Sequence, residues 1–297
     1  MTNALLQGLL LGGYYALLAA GLSFLFGVMR IINLAHGSLA VVAAFALWLL
    51  ADRYGLDPFL MLPVVMVPMA FLGWLLYRLV FARSLRGGAL TPILASFGLA
   101  TVVDNALFQG FGADTRSLAP YIGDLAYESW ALPGDIFVGQ LAVLVFATSL
   151  AVLGGLQLML SATTLGRRIR AAAEDADAAG LVGVDTHRIY GIATAISLAT
   201  VTLAGLAMAL RATFDPYAGP SQLIFAFEAV VIGGAGSLWG TLAGGVILGI
   251  AQSVGAHINP QGFLLAGHGV FLAILVFRVY GGPALATRWR NLKGAKA

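Results

Sequence analysis

Eight long apolar runs set the terms for any fold this chain can adopt: residues 4–28, 34–51, 58–80, 90–109, 136–160, 190–210, 222–256 and 262–280. A helix needs about 20 apolar residues to cross some 30 Å of hydrocarbon, and a spanning segment must satisfy its backbone hydrogen bonds internally. The spacing therefore predicts an all-α integral membrane protein with about eight transmembrane helices. Composition agrees: 60% of the 297 residues are hydrophobic, 10% are charged and the mean hydropathy is +0.92, whereas soluble domains carry roughly 25% charge. The first run is too long for the core of a secretion signal and has no basic lead, so it reads as a retained helix. Cysteine is absent, which excludes disulfides, thiolate nucleophiles and cysteine metal sites.

Arginine and lysine report orientation in such a chain, so the net charge of +3 is no sign of nucleic-acid binding. They gather in three clusters: Arg78, Arg83 and Arg86; Arg167, Arg168, Arg170 and Arg188; and Arg278, Arg288, Arg290, Lys293 and Lys296. These predict three cytoplasmic segments. Residues 110–135 hold Asp114, Asp124, Glu128 and Asp135 against Arg116 alone, which predicts the opposite side. The same counting puts residues 52–57 outside and Arg30 inside, leaving the N-terminus external. The run 222–256 must then return to the side it entered, which predicts a re-entrant pair of short helices. A Gly-Ser-Leu break occurs both at residues 37–39 and at 236–238. It suggests an internal repeat with a boundary near residue 135.

Several polar side chains fall at membrane depth, where an unpartnered polar group costs several kcal/mol. Asn33 and His36 in the stretch RIINLAHGS either line a substrate path, with the helix breaking at Gly37 beside Ser38, or hold neighbouring helices together. Glu228 within an apolar run is predicted to face the protein interior or the external interface. Gly233, Gly234 and Gly236 are placed to form an unwound turn near midplane on the path. Gly236, Gly240 and Gly244 recur every four residues, a spacing for close helix packing. Asp104 and Asn105 are either pathway residues or an interhelical pair. His187, His257 and His268 show no zinc-like spacing.

Catalytic signatures are missing from the sequence. There is no G-x-x-x-x-G-K-[ST] phosphate loop and no G-x-S-x-G elbow, and Ser38 near His36 does not by itself make a nucleophile and base. No catalytic residue and no metal ligand is assigned.

Between two apolar runs lies the charged segment RAAAEDADAAGLVGVD, residues 170–185, within a loop spanning about 161–190. A helix there puts Arg170, Glu174 and Asp177 on one face and Ala172, Ala176 and Ala179 on another, with Gly180 as its stop. The charged face resists lipid, and the alanine face would admit a close partner.

Three stretches together resemble one family: residues 8–40 (GLLLGGYYALLAAGLSFLFGVMRIINLAHGSLA), 166–185 (GRRIRAAAEDADAAGLVGVD) and 226–249 (AFEAVVIGGAGSLWGTLAGGVILG). They are similar to the membrane subunits of bacterial branched-chain amino acid ABC importers, and most similar to the shorter of that importer's two permeases. The resemblance implies a single permease domain over residues 1–297 in the bacterial inner membrane. It implies as partners a homologous second permease, two cytoplasmic ATPases that bind ATP and Mg, and an extracytoplasmic solute-binding protein, with no cofactor in this chain. It also implies a coupling helix seated on the ATPase, mapped here onto Arg170, Ala172, Glu174, Asp175 and Gly180, with Gly183 in the following turn. Arg170 stands where the broader importer pattern, E-A-A-x-x-x-G, has its first glutamate. The substrate path would draw on Asn33, His36, Gly37, Ser38, Glu228, Gly233, Gly234 and Gly236. Transport would proceed by alternating access, with small-residue surfaces at Gly8 and Gly12 and at Gly236, Gly240 and Gly244 sliding past one another. The alternatives are an ion-driven secondary transporter or channel, an intramembrane hydrolase acting through Ser38, and a permease for urea, amides or aromatic acids.

Overall fold

The computed structural model describes residues 1–88, 90–134 and 136–281. Arg288, Arg290, Lys293 and Lys296 of the third basic cluster, and Asp135 at the expected repeat boundary, lie outside the described residues.

Eight helices among the described residues are long and apolar enough to cross a membrane. They are α1 (Thr2–Met29), α2 (His36–Tyr54), α3 (Pro58–Gly87, with a π turn at Tyr77–Phe81), α4 (Thr91–Phe111) and α5 (Gln140–Ala162), followed by α8 (Thr186–Arg211), α10 (Leu238–Ile258) and α11 (Gly262–Val279). Between α5 and α8 run two short helices, α6 (Thr164–Glu174) and α7 (Ala176–Leu181), and before α10 stands α9 (Gly219–Gly233). The chain is a multi-pass, all-α membrane protein. A two-stranded antiparallel hairpin, Ser129–Leu132 with Ile136–Gly139, is a small addition that delays the start of α5 to Gln140.

Helix α1 is the axis of the molecule, buried for most of its length. It owes this to small residues. A Cβ on Gly8 would stand 2.6 Å from the Cα of Ile250, one on Gly245 would stand 2.6 Å from the carbonyl oxygen of Gly12, and Gly12 and Gly249 are equally tight. Helices α1 and α10 thus pack backbone to backbone, antiparallel, which only glycine permits. The expected Gly240 and Gly244 groove also exists, but it serves another neighbour: both glycines abut α9, at Gly233 and Ala229. In α8, Gly205 meets Ala40 and Ala44 of α2, while Ser197 and Thr200 lie against Gly21 of α1.

Helix α1 ends where Arg30 turns left-handed, at φ 55, with its N–H on Phe26. Residues 30–35 are not helical. They bring His36 level with Leu18, to whose carbonyl its Nε2 bonds at 2.8 Å. Leu18 lies roughly 16 Å before the end of α1 at 1.5 Å per residue, so α2 begins partway through the bundle. The irregularity expected near residue 34 is therefore an extended lead-in. Gly37 is not a break but lies in the first turn of α2, where it fits against the carbonyl of Gly219.

The break expected in the 222–256 run is present at residues 234–237, but the two helices are unequal. Helix α9 has 15 residues, about 22 Å, too short to span, whereas α10 has 21. Gly234 and Gly236 take φ 97 and 85, and Ser237 caps α10 by accepting from the N–H of Gly240 at 3.1 Å. The turn does not lie at midplane. Gly236 abuts Gly27, within one turn of the end of α1.

The two ends of the bundle differ in charge, as the sequence predicts. At the Thr2 end Gln7 donates to the carbonyl of Phe137, Tyr121 donates to Asp52 and Arg116 pairs with Asp114. At the Met29 end stand Arg78, Arg83 and Arg86, the arginines of α6, and Arg278, which donates to the carbonyls of Val231 and Ile232. The latter is termed the basic end below.

Candidate functional site

Two regions hold the residues singled out in the sequence. The first is the charged segment at the basic end. It is an elbow rather than one rod: Asp175 is extended (φ −149, ψ 106) and ends α6. Its carboxylate accepts from the N–H groups of Asp177 and Ala178, both at 3.0 Å, and so starts α7. An aspartate followed by small residues is a strong N-cap, and here that local bond overrides helix continuation. Gly180 is not the stop either. Helix α7 runs on to Leu181 and closes with Gly183 at φ 84, where Gly183 N–H bonds Gly180 and Val184 N–H bonds Ala179. That pair of bonds is a Schellman cap, which places the required glycine at 183.

Arg170, Glu174 and Asp177 are exposed, as their spacing requires. The alanine face is not offered to a partner. Ala172 and Ala179 are buried against this chain, and the Tyr190 hydroxyl on α8 donates to the carbonyl of Ala172 at 3.0 Å. What the elbow does present at its tip is Leu181 and Val182, 91% and 79% exposed. Sequence reasoning passed over both, although two large apolar residues between Gly180 and Gly183 in a polar loop were a readable signal.

The second region lies among α1, α2, α4, α9, α10 and α11. Asn33 and His36 are completely buried. Asn33 Oδ1 accepts from Ala35 N–H at 3.0 Å, and Leu34 N–H donates to Ser96 of α4. Both side chains thus fasten the lead-in to its surroundings, and neither lines an open channel in this structure. Ser38 is buried where α2 crosses the start of α9 at Gly219. Asp104 of α4 lies beside Ser38, while Asn105 points outward and accepts from Tyr217. The two neighbours therefore do not act as a pair.

Glu228 faces the interior, 3% exposed, and its Oε1 meets Nδ1 of His268 at 2.5 Å, joining α9 to α11. The rings of His268 and Phe225 stack at 6.3 Å. Gly233 contacts α10, Gly234 is half-buried beside the Arg278 guanidinium and Gly236 is exposed next to Gly27, so these three do not converge on Glu228 or on Asn33. Further polar links follow α1: the Tyr14 hydroxyl donates to Gln222 and that of Tyr15 donates to Gln252. The Arg211 guanidinium lies 4.6 Å over the Tyr14 ring. Arg211, Tyr14 and Gln222 border a cavity of about 160 Å³ whose other walls include Leu11, Met208 and Phe225. Sequence reasoning weighed His268 only as a metal ligand and did not single out Tyr14, Gln222 or Arg211, because their partners are remote in the chain and no spacing rule links them.

Residues 4–279 match the family described as branched-chain amino acid transport system / permease component. The high-affinity branched-chain amino acid transport system permease protein BraD of Pseudomonas aeruginosa is 30% identical over 291 residues, covering 93% of this chain and 94% of BraD. The corresponding permease protein LivH of Escherichia coli K12 is 27% identical over 268 residues, 86% of either chain. The permease protein LivM of the same organism is 26% identical over 310 residues, 95% of this chain but 71% of LivM. No solved structure matches the chain.

Proposed function

Because the chain belongs to the branched-chain amino acid transport permease family, we propose that it is a membrane subunit of an ATP-binding-cassette importer. Its cargo is a branched-chain or related hydrophobic amino acid, moved across the bacterial inner membrane by alternating access. The observation that carries this reading is the exposed elbow of α6 and α7 at the basic end of a chain the family matches over residues 4–279. Such an elbow suits a lever for force generated in another subunit. Leu181 and Val182 enter an apolar recess of an ATPase, and Arg170, Glu174, Asp175 and Asp177 set its register. ATP and Mg are bound by two such ATPases. A second permease of the LivM kind completes the pore, and a solute-binding protein delivers cargo at the Thr2 end.

Movement of the elbow passes to α8 through the Tyr190 to Ala172 bond and to α5 through the one-residue link at Thr163. Alternating access requires a lever and a packing interface with two arrangements. The seam of α1 with α10 is too close-fitting to slide, so the moving interface lies elsewhere, between this chain and its partner permease. The Arg211 cavity supports an amino-acid cargo, since it offers one cation for a carboxylate and aliphatic and aromatic walls for a branched side chain.

Co-purification tests the reading. ATPase subunits should be retained by the wild-type chain and lost when Arg170 and Glu174 are exchanged in charge or Leu181 becomes Asp. Retention by all three would overturn it. Uptake that survives ATP depletion but fails when the proton gradient is dissipated would support an ion-driven carrier instead.

A further inference from the structure

A second feature of the basic end lies outside the elbow. Between the end of α3 and the start of α8 is a cleft of about 570 Å³, bordered by Trp74, Tyr77, Arg78, Arg83, Arg86 and Arg188. Among the described residues four guanidinium groups line it against one carboxylate, Asp185. That carboxylate is already engaged as the N-cap of α8, accepting from the backbone N–H of Arg188 at 2.9 Å. Among the described residues no acid forms an ion pair with any of the four arginines. The floor is aromatic: the Arg78 guanidinium lies 4.6 Å over the Trp74 ring, Phe71 stacks on Trp74, and the Tyr77 hydroxyl bonds Nδ1 of His187 at 2.8 Å.

The cleft continues directly into an apolar strip. Leu60, Val64, Val67 and Phe71 are all exposed on α3. With Trp74 and Arg78 they recur at steps of three and four residues, so they share one face of the helix and lead down it to the cleft. A ligand with apolar tails on that strip would place its head among the arginines. We propose that this cleft is a binding site for an anionic phospholipid of the leaflet at the basic end, its phosphate held by Arg78, Arg83, Arg86 and Arg188 and its acyl chains lying along α3.

Charge and continuity distinguish this occupant from others. A free phosphate would use the arginines but not the strip, and a zwitterionic lipid would bring a cation into a cleft already rich in them. Basic pockets between membrane helices are suited to anionic head groups through both point charge and bidentate guanidinium contacts. Orientation alone explains why arginines lie at this end, and a spanning helix must be apolar toward lipid, but neither calls for a cleft of four guanidinium groups on an aromatic floor.

The full-length chain in nanodiscs, released into the gas phase for native mass spectrometry, gives the test. Mixed phosphatidylglycerol and phosphatidylcholine should leave phosphatidylglycerol bound in preference. The double change Arg83→Glu, Arg86→Glu should lower that retention about tenfold, Arg83→Gln, Arg86→Gln less so, and Arg83→Lys, Arg86→Lys should restore most of it. Soluble glycerol phosphate at the same concentration should not displace the lipid. Equal retention by wild type and the glutamate variant would overturn the proposal, as would loss of selectivity between the two lipids in the wild type. Displacement by glycerol phosphate would reassign the cleft to a soluble anion, and complete displacement by added ATPase subunits would reassign it to a protein interface. The outcome does not depend on which solute the chain carries.

Discussion

The seam between α1 and α10 and the elbow of α6 and α7 answer the same physical question in opposite ways. Both rely on small residues. In the seam, glycines remove side chains so that two backbones touch, and nothing there is free to move without losing contact along the whole face. In the elbow, Ala172 and Ala179 face inward, glycine ends the helix, and the large side chains Leu181 and Val182 project outward, exposed. Glycine and alanine in a membrane protein therefore do not identify a mobile surface by themselves. What their Cβ positions would meet decides between scaffold and lever.

Four experiments sharpen that contrast. The largest expected effect is at Gly12→Leu, where the new side chain would overlap the backbone of Val246. Overpacking typically costs 1–3 kcal/mol with some relief, and here, against backbone, a loss of about 3 kcal/mol or more should appear as a collapsed thermal unfolding midpoint in detergent. Gly240→Leu should behave likewise through Gly233, rather than sparing the fold and blocking transport alone. Next comes His268→Ala, which leaves the buried Glu228 carboxyl without its partner and should cost about 1–3 kcal/mol, with Glu228→Gln milder in the same melt. Asp175→Ala removes the cap of α7 and should cost about 1 kcal/mol, confined to the elbow. Hydrogen exchange should rise at residues 176–181 while the overall midpoint holds. Smallest in stability is Leu181→Asp, within about 0.5 kcal/mol as for other exposed positions, yet it should abolish ATPase co-purification. If it instead unfolds the chain, the elbow belongs to the scaffold and the contrast fails.

The eight crossings were legible because twenty-residue apolar runs admit few other structures, and the clustering of arginines foretold which loops share an end. The break in the 222–256 run was legible from its glycines, but its depth was not, since depth depends on packing against Gly27. The bend at Asp175 was legible in principle: an aspartate two residues before another, in an alanine run, is a cap signature that helix periodicity concealed. The pairing of Glu228 with His268 was not legible, because 40 residues and the whole of α10 separate them and only tertiary packing brings them together. Asn33 and His36 were recognised as anomalous at depth; in the structure they tie the extended lead-in of α2 to its own turn and to α1, while Asn33 Nδ2 and His36 Nδ1 have no hydrogen-bond partner among the described residues.

The crossing of Gly37 with Gly219 has an electrostatic consequence. Helices α2 and α9 both begin there, one running toward each end of the bundle, so two sets of unbonded amide N–H groups and two positive macrodipole ends converge at one depth. Asp104 sets its carboxyl group beside Ser38, in the first turn of α2. Two helix starts meeting at one depth thus give the middle of a lipid-spanning body a positive potential made of peptide dipoles.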